Sequence, residues 1–81
     1  MYYVYVLQSL KDKKYYIGST DNIERRLREH NAGKTSSLKH RLPMKVVYQE
    51  KYPTRLEAIR KERLIKGYKG GNAFRKLIMG T

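Results

Sequence analysis

The run Tyr2-Tyr3-Val4-Tyr5-Val6-Leu7-Gln8 is rich in β-branched and aromatic residues, and it predicts a strand over residues 2–8. Side chains alternate between the two faces of a strand. The two valines therefore share one face, and Tyr3, Tyr5 and Leu7 share the other. Because both faces are apolar, we expect this strand to lie in the middle of a sheet with both of its faces covered.

Two further segments carry strand patterns. Residues 15–19 follow the first strand after a short polar link over residues 9–14, so the two should pair as an antiparallel hairpin. Residues 44–51 form the third predicted strand, which ends before Pro53 because proline cannot donate to a sheet ladder. These segments predict a small antiparallel sheet.

A helix is predicted directly after the hairpin. Asp21 provides the N-cap, with Glu24 three residues later as in a capping box. The helix should run to about Asn31, and Gly33 suits the left-handed position that follows many helices.

Two more helices follow the third strand. Thr54 and Glu57 form a second capping box, and Gly67 should end that helix. After a break at Gly70-Gly71, Asn72 can cap a short third helix. The predicted order is β-β-α-β-α-α, an α/β (α+β) fold in which helices flank a small sheet.

Composition limits the class of protein. The chain has 81 residues, room for a single domain over residues 1–81, and it contains no cysteine. Disulfides, cysteine zinc sites and thiol nucleophiles are thereby excluded. No apolar run approaches the roughly 20 residues of a membrane span. The first residues do not resemble a signal peptide, so we expect a cytoplasmic protein.

The net charge of +12 indicates the kind of partner. Such an excess of Lys and Arg is typical of a nucleic-acid binder. A membrane-surface protein would need a helix with a long apolar face, which no segment shows. No obligate protein partner is evident. The loop over residues 33–43 concentrates basic side chains, namely Lys34, Lys39, His40 and Arg41.

Glu62 is the first candidate for chemistry. At about 100° per residue it shares a helix arc with Ala58, Ile59 and Ile65, so its carboxylate should face the core or a cleft. A charge placed there must be paired or must bind a cation. Two interpretations stay open at this point. One is a buried ion pair with a basic residue. The other is a catalytic acid or a ligand of Mg²⁺, an ion that needs only one or two protein oxygens.

Arg26 and His30 are the second candidates. Four residues apart, they lie above one another at the edge of the apolar stripe formed by Ile23 and Leu27. Either can be a solvated surface residue. Alternatively, arginine can hold a phosphate at two points, and histidine can orient a group or carry a proton.

The tyrosines supply a third element. If Tyr5 and Tyr16 share a sheet face, their hydroxyls can converge, although the sequence leaves the hairpin register open. Gly18, on the same strand face as Tyr16, would let a backbone approach a ligand closely. Packing alone also explains each tyrosine.

Together these residues resemble the signature of the GIY-YIG nuclease domain. Tyr3-Val4-Tyr5 and Tyr16-Ile17-Gly18 resemble its paired motifs, with Tyr16 eleven residues after Tyr5. Arg26 and His30 resemble the Arg and His of the family's helix, and Glu62 lies where the family has its metal-binding glutamate. The resemblance spans nearly the whole chain and is closest to small stand-alone bacterial members.

The resemblance implies an enzyme that cleaves phosphodiester bonds in DNA with one divalent ion, Mg²⁺ or Mn²⁺, held by Glu62. It also implies a three-stranded antiparallel sheet. In the family a tyrosine activates or positions the attacking water, and of the pair we slightly favour Tyr5 over Tyr16 as the base. Arg26 would stabilise charge on the phosphate, with His30 in support. The residues expected at the nucleic acid are Lys14, Arg25, Lys34, Lys39, His40, Arg41 and Asn72.

Two other functions stay open. One is a nucleic-acid-binding module of the same fold without turnover, which Tyr3 in place of the family's glycine favours slightly. The other is an RNA-associated basic protein, since the charge suits RNA as well as DNA. With no second domain attached, substrate choice would depend on the basic loop and general charge, which favours structure-based or weak sequence preference.

Overall fold

A computed structural model describes residues 1–33 and 41–79 of the chain. The order of its elements confirms the predicted β-β-α-β-α-α arrangement. In chain order they are β1 Tyr2–Ser9, β2 Tyr15–Thr20, α1 Ile23–Asn31, β3 Met44–Tyr52, α2 Arg55–Gly67 and α3 Asn72–Met79.

The strands form one antiparallel sheet in the order β2-β1-β3. The predicted central position of β1 is therefore confirmed. In the hairpin, Tyr5 lies opposite Gly18 and Leu7 lies opposite Tyr16. This register puts Tyr5 and Tyr16 on the same face, which the sequence could not establish.

Each face of the sheet has its own core. On one face, Val4 and Val6 are fully buried against α2 and α3; the other buried members of this core are Ala58, Ile65 and Phe74. On the opposite face, Tyr5, Leu7 and Met44 are buried beneath α1, which contributes Ile23 and Leu27. The predicted inner face of α1 is confirmed, and β1 supplies buried side chains to both cores.

A β-bulge interrupts the pairing of β1 with β3. Val6 lies opposite Tyr48 whereas Leu7 lies opposite Val46, so Val47 is the extra residue on β3. Val47 and Tyr48 consequently pack against the same core, although they are neighbours in sequence. A bulge places two successive residues opposite one on the partner strand. Strict alternation of side chains between the two faces along residues 44–51 does not predict that two neighbouring residues pack against the same core.

The start of α1 differs from the prediction. The N-cap is Asn22, whose side-chain oxygen accepts the backbone N–H of Arg25 at 3.0 Å. The predicted capping box of Asp21 and Glu24 is wrong by one residue. The Asp21 carboxylate instead forms an ion pair with the Arg25 guanidinium. An N-cap at either residue provides a side-chain oxygen that accepts a backbone N–H of the first turn of the helix. The amide of asparagine is as good a cap as a carboxylate.

The other helix ends are partly as predicted. Thr54 is the N-cap of α2 and accepts the backbone N–H of Glu57, as expected. Gly67, however, is still helical. The left-handed backbone falls at Lys69 and Gly70, with φ of 50° and 75°. In α3 the backbone N–H of Arg75 donates to the carbonyl of Gly71, so Asn72 is the first residue of the helix rather than its cap.

Asn31 joins the end of α1 to the start of β3. Its side-chain oxygen accepts the Met44 backbone N–H at 2.8 Å, and its amide nitrogen donates to the Met44 carbonyl at 3.3 Å. Gly33 has φ of 80°, which confirms its predicted left-handed position. Within the ranges that the structure describes, no helix has both the length and the apolar character needed to cross a membrane.

Candidate functional site

Three aromatic rings meet on the sheet face that α1 covers. The ring centroids of Tyr5 and Tyr16 are 6.4 Å apart, and the ring of His30 lies 6.3 Å from Tyr5 and 5.2 Å from Tyr16. Tyr5 is only 2% exposed and His30 is fully buried, whereas Tyr16 is half-buried. The predicted convergence of the two tyrosines is therefore present, with Tyr5 at the floor of the site.

Gly18 provides the space that Tyr5 occupies. A Cβ atom at Gly18 would lie 2.5 Å from the Tyr5 hydroxyl oxygen and 2.7 Å from its Cζ. We predicted that this glycine lets a backbone approach a ligand. In the structure its open side is filled by the Tyr5 ring, so the glycine acts on the site through Tyr5.

Gly18→Ala should destabilise the protein by about 1–3 kcal/mol, the usual cost of overpacking a core, because the buried Tyr5 ring must move. Urea unfolding followed by circular dichroism measures this. Gly67→Ala is the matched control, since a Cβ there meets nothing within 4 Å. In a helix the same change should be neutral or stabilising. Equal stability in the two variants would show that Tyr5 moves aside at no cost.

Arg26 and His30 come from successive turns of α1 and both reach Tyr5. A hydrogen bond of 3.2 Å joins the Tyr5 hydroxyl to His30 Nε2. The Arg26 guanidinium lies beside the Tyr5 hydroxyl, where it lowers the pKa of that group, and it pairs with Glu29 at 3.3 Å. The Arg26 side chain is 39% exposed, so it links the buried tyrosine to the surface. The predicted shared face of the two residues is present.

Burial governs the protonation of this group. It raises the pKa of the Tyr5 hydroxyl, while the hydrogen bond from Arg26 opposes that shift. Repulsion from an ionised Tyr16 and from the Glu62 carboxylate raises the pKa of Tyr5 further. Burial, and then the charge of Arg26, lower the pKa of His30 below 6.5. At neutral pH we therefore expect a neutral His30 and a protonated Tyr5.

The shift of His30 predicts a pH dependence of stability. Because the pKa of His30 is lower in the folded state, the unfolded chain takes up its proton first as pH falls. The free energy of unfolding should therefore decline as pH drops below about 6.5. Urea unfolding at pH 7.5 and 5.5 tests this.

His30→Gln should show a smaller decline between those two pH values than the wild type. The control is His40→Gln, which removes the other histidine of the chain. The carboxylates whose pKa is lowered in the fold, such as Glu50, lose their contribution at more acidic pH. An identical decline in His30→Gln and wild type would contradict the assignment.

Glu62 extends from α2 toward β2. The Ser19 hydroxyl donates to Glu62 Oε1 at 2.7 Å, and Lys66 Nζ lies 2.7 Å from Oε2. The Glu62 side chain is 19% exposed, and Ala58 and Ile65 beside it are fully buried. The carboxylate is thus mostly covered, between α2 and β2. The sequence left open an ion pair between Glu62 and a basic residue, and Lys66 forms such a pair. That lysine is 54% exposed, however, so the ion pair is not buried.

The donor set suits an ion that needs few protein ligands. Across residues 1–33 and 41–79, no group of three or more His, Cys, Asp and Glu side chains is arranged to hold a metal ion. Glu62 offers one partly buried carboxylate whose orientation Ser19 fixes. Such a site fits Mg²⁺ or Mn²⁺ with water completing the shell, since Mg²⁺ binds through one or two carboxylates.

The predicted nucleic-acid contacts are not gathered in one place. Lys14 and Arg41 lie near the β1–β2 turn, where Arg41 pairs with Asp12 at 3.1 Å. Arg25 lies at the other end of β2, at the start of α1, and pairs with Asp21. Asn72 is exposed at the start of α3. Lys34, Lys39 and His40 lie outside the described residues.

Sequence reasoning missed two neighbours of Glu62. Ser19 immediately follows Gly18 and is on the opposite face of β2, a position that the strand pattern alone could have flagged as facing α2. Lys66 is four residues after Glu62, the usual spacing of a helical ion pair. The strand face of Ser19 and the spacing of Lys66 can both be read from the sequence, but they indicate contacts with Glu62 only once α2 is known to pack against β2.

Comparisons with known proteins give consistent matches. The family model described as the GIY-YIG catalytic domain matches residues 1–74. A UPF0213 protein of Staphylococcus haemolyticus is 43% identical over 68 residues, which cover 83% of this chain and 82% of that protein. A UPF0213 protein of Haloquadratum walsbyi is 40% identical over 68 residues, covering 83% of this chain and 75% of its own.

The fold also has a counterpart among solved structures. The solution NMR structure of the UPF0213 protein BH0048 from Bacillus halodurans matches with a TM-score of 0.55 and 29% sequence identity. The match covers 99% of this chain and 84% of the other. The likeness therefore extends over the sheet and all three helices.

Proposed function

Since this chain belongs to the GIY-YIG family, a nuclease family, we propose that it is an endonuclease that hydrolyses phosphodiester bonds in DNA with the help of a divalent ion. Family membership supports the class of reaction and a nucleic acid as substrate. The net charge of +12 supports binding to a polyanion. The choice of DNA, and of Mg²⁺ or Mn²⁺ as the ion, belongs to the proposal.

One observation carries the proposal. Arg26 lies beside Tyr5, His30 is hydrogen-bonded to Tyr5, and Tyr16 packs against His30. A cation, a neutral imidazole and two phenols are therefore held close together on the sheet face that α1 covers, and the Glu62 carboxylate, which α2 presents from the other face, acts on Tyr5 by its charge. Packing alone does not require so many polar groups at one place.

Arg26 is the group assigned to the phosphate. Its guanidinium is 39% exposed, and the Tyr5 oxygen and the Glu29 carboxylate hold it in place. The transition state of phosphodiester hydrolysis carries added negative charge on the phosphate oxygens. A preorganised guanidinium stabilises that charge without reorganising at the moment of reaction.

His30 fixes the proton of Tyr5. The Tyr5 hydroxyl and His30 Nε2 share a hydrogen bond, in which the hydroxyl donates when the neutral imidazole carries its proton on Nδ1. His30 thereby sets the orientation of the phenol and, through it, of Arg26. We assign it a positioning role, since it is fully buried.

Tyr16 is the better placed of the two tyrosines to contact the attacking water. It is half-buried, whereas Tyr5 is 2% exposed and burial raises its pKa, which makes its phenolate costly. The slight preference for Tyr5 from the sequence therefore shifts to Tyr16. Tyr5 holds Arg26 and His30 at the floor of the site.

Glu62 would hold the divalent ion. A bound ion would neutralise charge on the scissile phosphate and orient a water molecule beside it. Ser19 would keep the orientation of the carboxylate fixed while the ion is bound.

The test of the function is incubation of purified protein with supercoiled plasmid and with branched DNA, with Mg²⁺, with Mn²⁺ and with chelator. Chelator-sensitive nicking is the expected result. An Arg26→Ala/Glu62→Gln double variant excludes a contaminating nuclease. DNA binding without nicking under all conditions would instead indicate a binding module of the same fold. Cleavage of RNA alone would change the proposed substrate from DNA to RNA.

The two tyrosines can be separated by removing one hydroxyl at a time. Tyr16→Phe should slow nicking by roughly 10²-fold, in the range of general base catalysis, and should leave stability nearly unchanged. Tyr5→Phe should also slow nicking, but it should destabilise the fold by about 1–3 kcal/mol, because it leaves partners of a buried hydrogen bond unpaired. Near-normal nicking by Tyr16→Phe, together with no nicking by Tyr5→Phe, would indicate that Tyr5 is the general base.

A further inference from the structure

The two oxygens of Glu62 are held by two unlike groups. The donor to Oε1 is a hydroxyl on a strand, that of Ser19, and the donor to Oε2 is an ammonium on a long exposed side chain, that of Lys66. The distances are equal, at 2.7 Å each. The difference between the two groups lies in how easily each can leave.

The Ser19 contact is fixed by the sheet. Ser19 lies in β2 opposite Val4, which is fully buried in the central strand. Its side chain is short and part-buried, so only rotation about χ1 can move its hydroxyl away from Glu62 while the backbone stays in place. Outer partners of this kind fix the direction in which a ligand carboxylate points.

The Lys66 contact is loosely held by comparison. The Lys66 side chain is 54% exposed, and its four-carbon stem has many rotamers. An exposed ion pair of this spacing is worth little net stability. The ammonium nevertheless occupies Oε2, the carboxylate oxygen that the Ser19 hydroxyl leaves uncovered.

We propose that Ser19 is a positioning residue for the metal-binding carboxylate and that Lys66 is a displaceable cation on it. A divalent ion binds Glu62 by displacing the Lys66 ammonium from Oε2, while Ser19 keeps its bond to Oε1. The inference rests on the proposed role of Glu62 and adds how the ion enters. In the absence of the ion, Lys66 balances a carboxylate that would otherwise repel the phosphates of DNA.

The experiment measures Mn²⁺ binding to the full chain without DNA. Paramagnetic broadening of the backbone amide signals around Glu62 in ¹⁵N spectra gives the Mn²⁺ concentration at half-effect. Lys66→Gln should lower that concentration by about two- to fivefold, the size of one exposed ion pair. Lys66→Arg, which keeps a cation, should not lower it. Ser19→Ala should raise it by about tenfold, and Ser19→Thr, which keeps the hydroxyl, should restore it.

Lys45→Gln is the control for the loss of one positive charge. Lys45 is exposed and lies opposite Gln8, at the end of β1 away from the Val4–Ser19 pair. It should bind Mn²⁺ like the wild type. An equal gain in Mn²⁺ affinity in Lys45→Gln and Lys66→Gln, or no gain in Lys66→Gln, would contradict the proposal that the ion displaces Lys66. Wild-type binding by Ser19→Ala would overturn the positioning role.

Glu62→Gln separates this inference from the proposed function. It should abolish the local broadening. If it binds Mn²⁺ as the wild type does, Glu62 is not the metal ligand, and the assignment of the metal site fails together with this inference. If it loses binding while the Lys66 and Ser19 variants match the wild type, the metal site stands and only this inference fails.

Discussion

Glu62→Gln should reduce DNA cleavage by about 10³-fold or more at every Mg²⁺ concentration, a loss at the upper end of what one preorganised electrostatic group supplies. The amide keeps the shape of the carboxylate and can still accept the Ser19 hydroxyl, but it lacks the charge that binds a cation. Metal-free DNA affinity should rise slightly, because a negative charge near the phosphates is gone. Nicking rates and DNA binding in chelator measure both effects.

The stability of Glu62→Gln distinguishes the remaining interpretations. Its Lys66 partner is 54% exposed, so the lost ion pair should change the free energy of unfolding by no more than about 1 kcal/mol. A loss of about 3–5 kcal/mol would instead indicate a buried ion pair whose removal inactivates the protein by unfolding it. Nicking at the wild-type rate by the folded variant would remove the metal-site assignment and most of the argument for catalysis.

Arg26→Ala should slow cleavage by roughly 10²-fold or more, and Arg26→Lys should not restore it. Lysine keeps the positive charge but lacks the planar fork that bonds to two phosphate oxygens at once. Arg26 also bonds to Tyr5 and Glu29, and a lysine ammonium has a different geometry from the guanidinium that meets them. Single-turnover cleavage with saturating protein isolates this effect from changes in DNA affinity.

Arg28→Ala is the matched control for that pair of variants. Arg28 lies on the same helix, is exposed, and points away from the sheet. Its loss should weaken DNA binding slightly at low salt and leave the single-turnover rate unchanged. Near-full activity of Arg26→Lys would mean that charge alone matters, and equal effects of Arg26→Ala and Arg28→Ala would reduce Arg26 to one basic residue among many.

The sequence predicts the fold well because local signals and the apolar pattern agree. Residues 2–8 are apolar on both sides, and the structure places β1 between two cores. The cap at Thr54 is present as predicted. The errors arise where two adjacent residues offer equivalent chemistry, as with Asp21 and Asn22, or where the gain from a glycine is small, as with Gly67.

The candidate site was less predictable, because it depends on how elements pack. Spacing along one helix suffices to place Arg26 beside His30. The hairpin register brings Tyr16 near Tyr5, and only packing of α2 on β2 joins Ser19 to Glu62. The contact of Gly18 with Tyr5 could not be predicted for the same reason, since a glycine in a strand signals available space without indicating which group fills it.

The bulge at Val47 divides β3 into two segments of opposite phase. Before it, Met44 and Val46 pack with the core beneath α1; after it, Tyr48 and Tyr52 pack with the core beneath α2. Deleting Val47 itself would make β3 a regular strand, in which Val46 and Tyr48 become neighbours and keep their opposite faces, whereas deleting a residue inside either segment would send part of that segment's apolar side chains to the wrong core. In a library of single-residue deletions scanned along β3, the deletion of Val47 should therefore leave the fold more stable than deletions at the neighbouring positions.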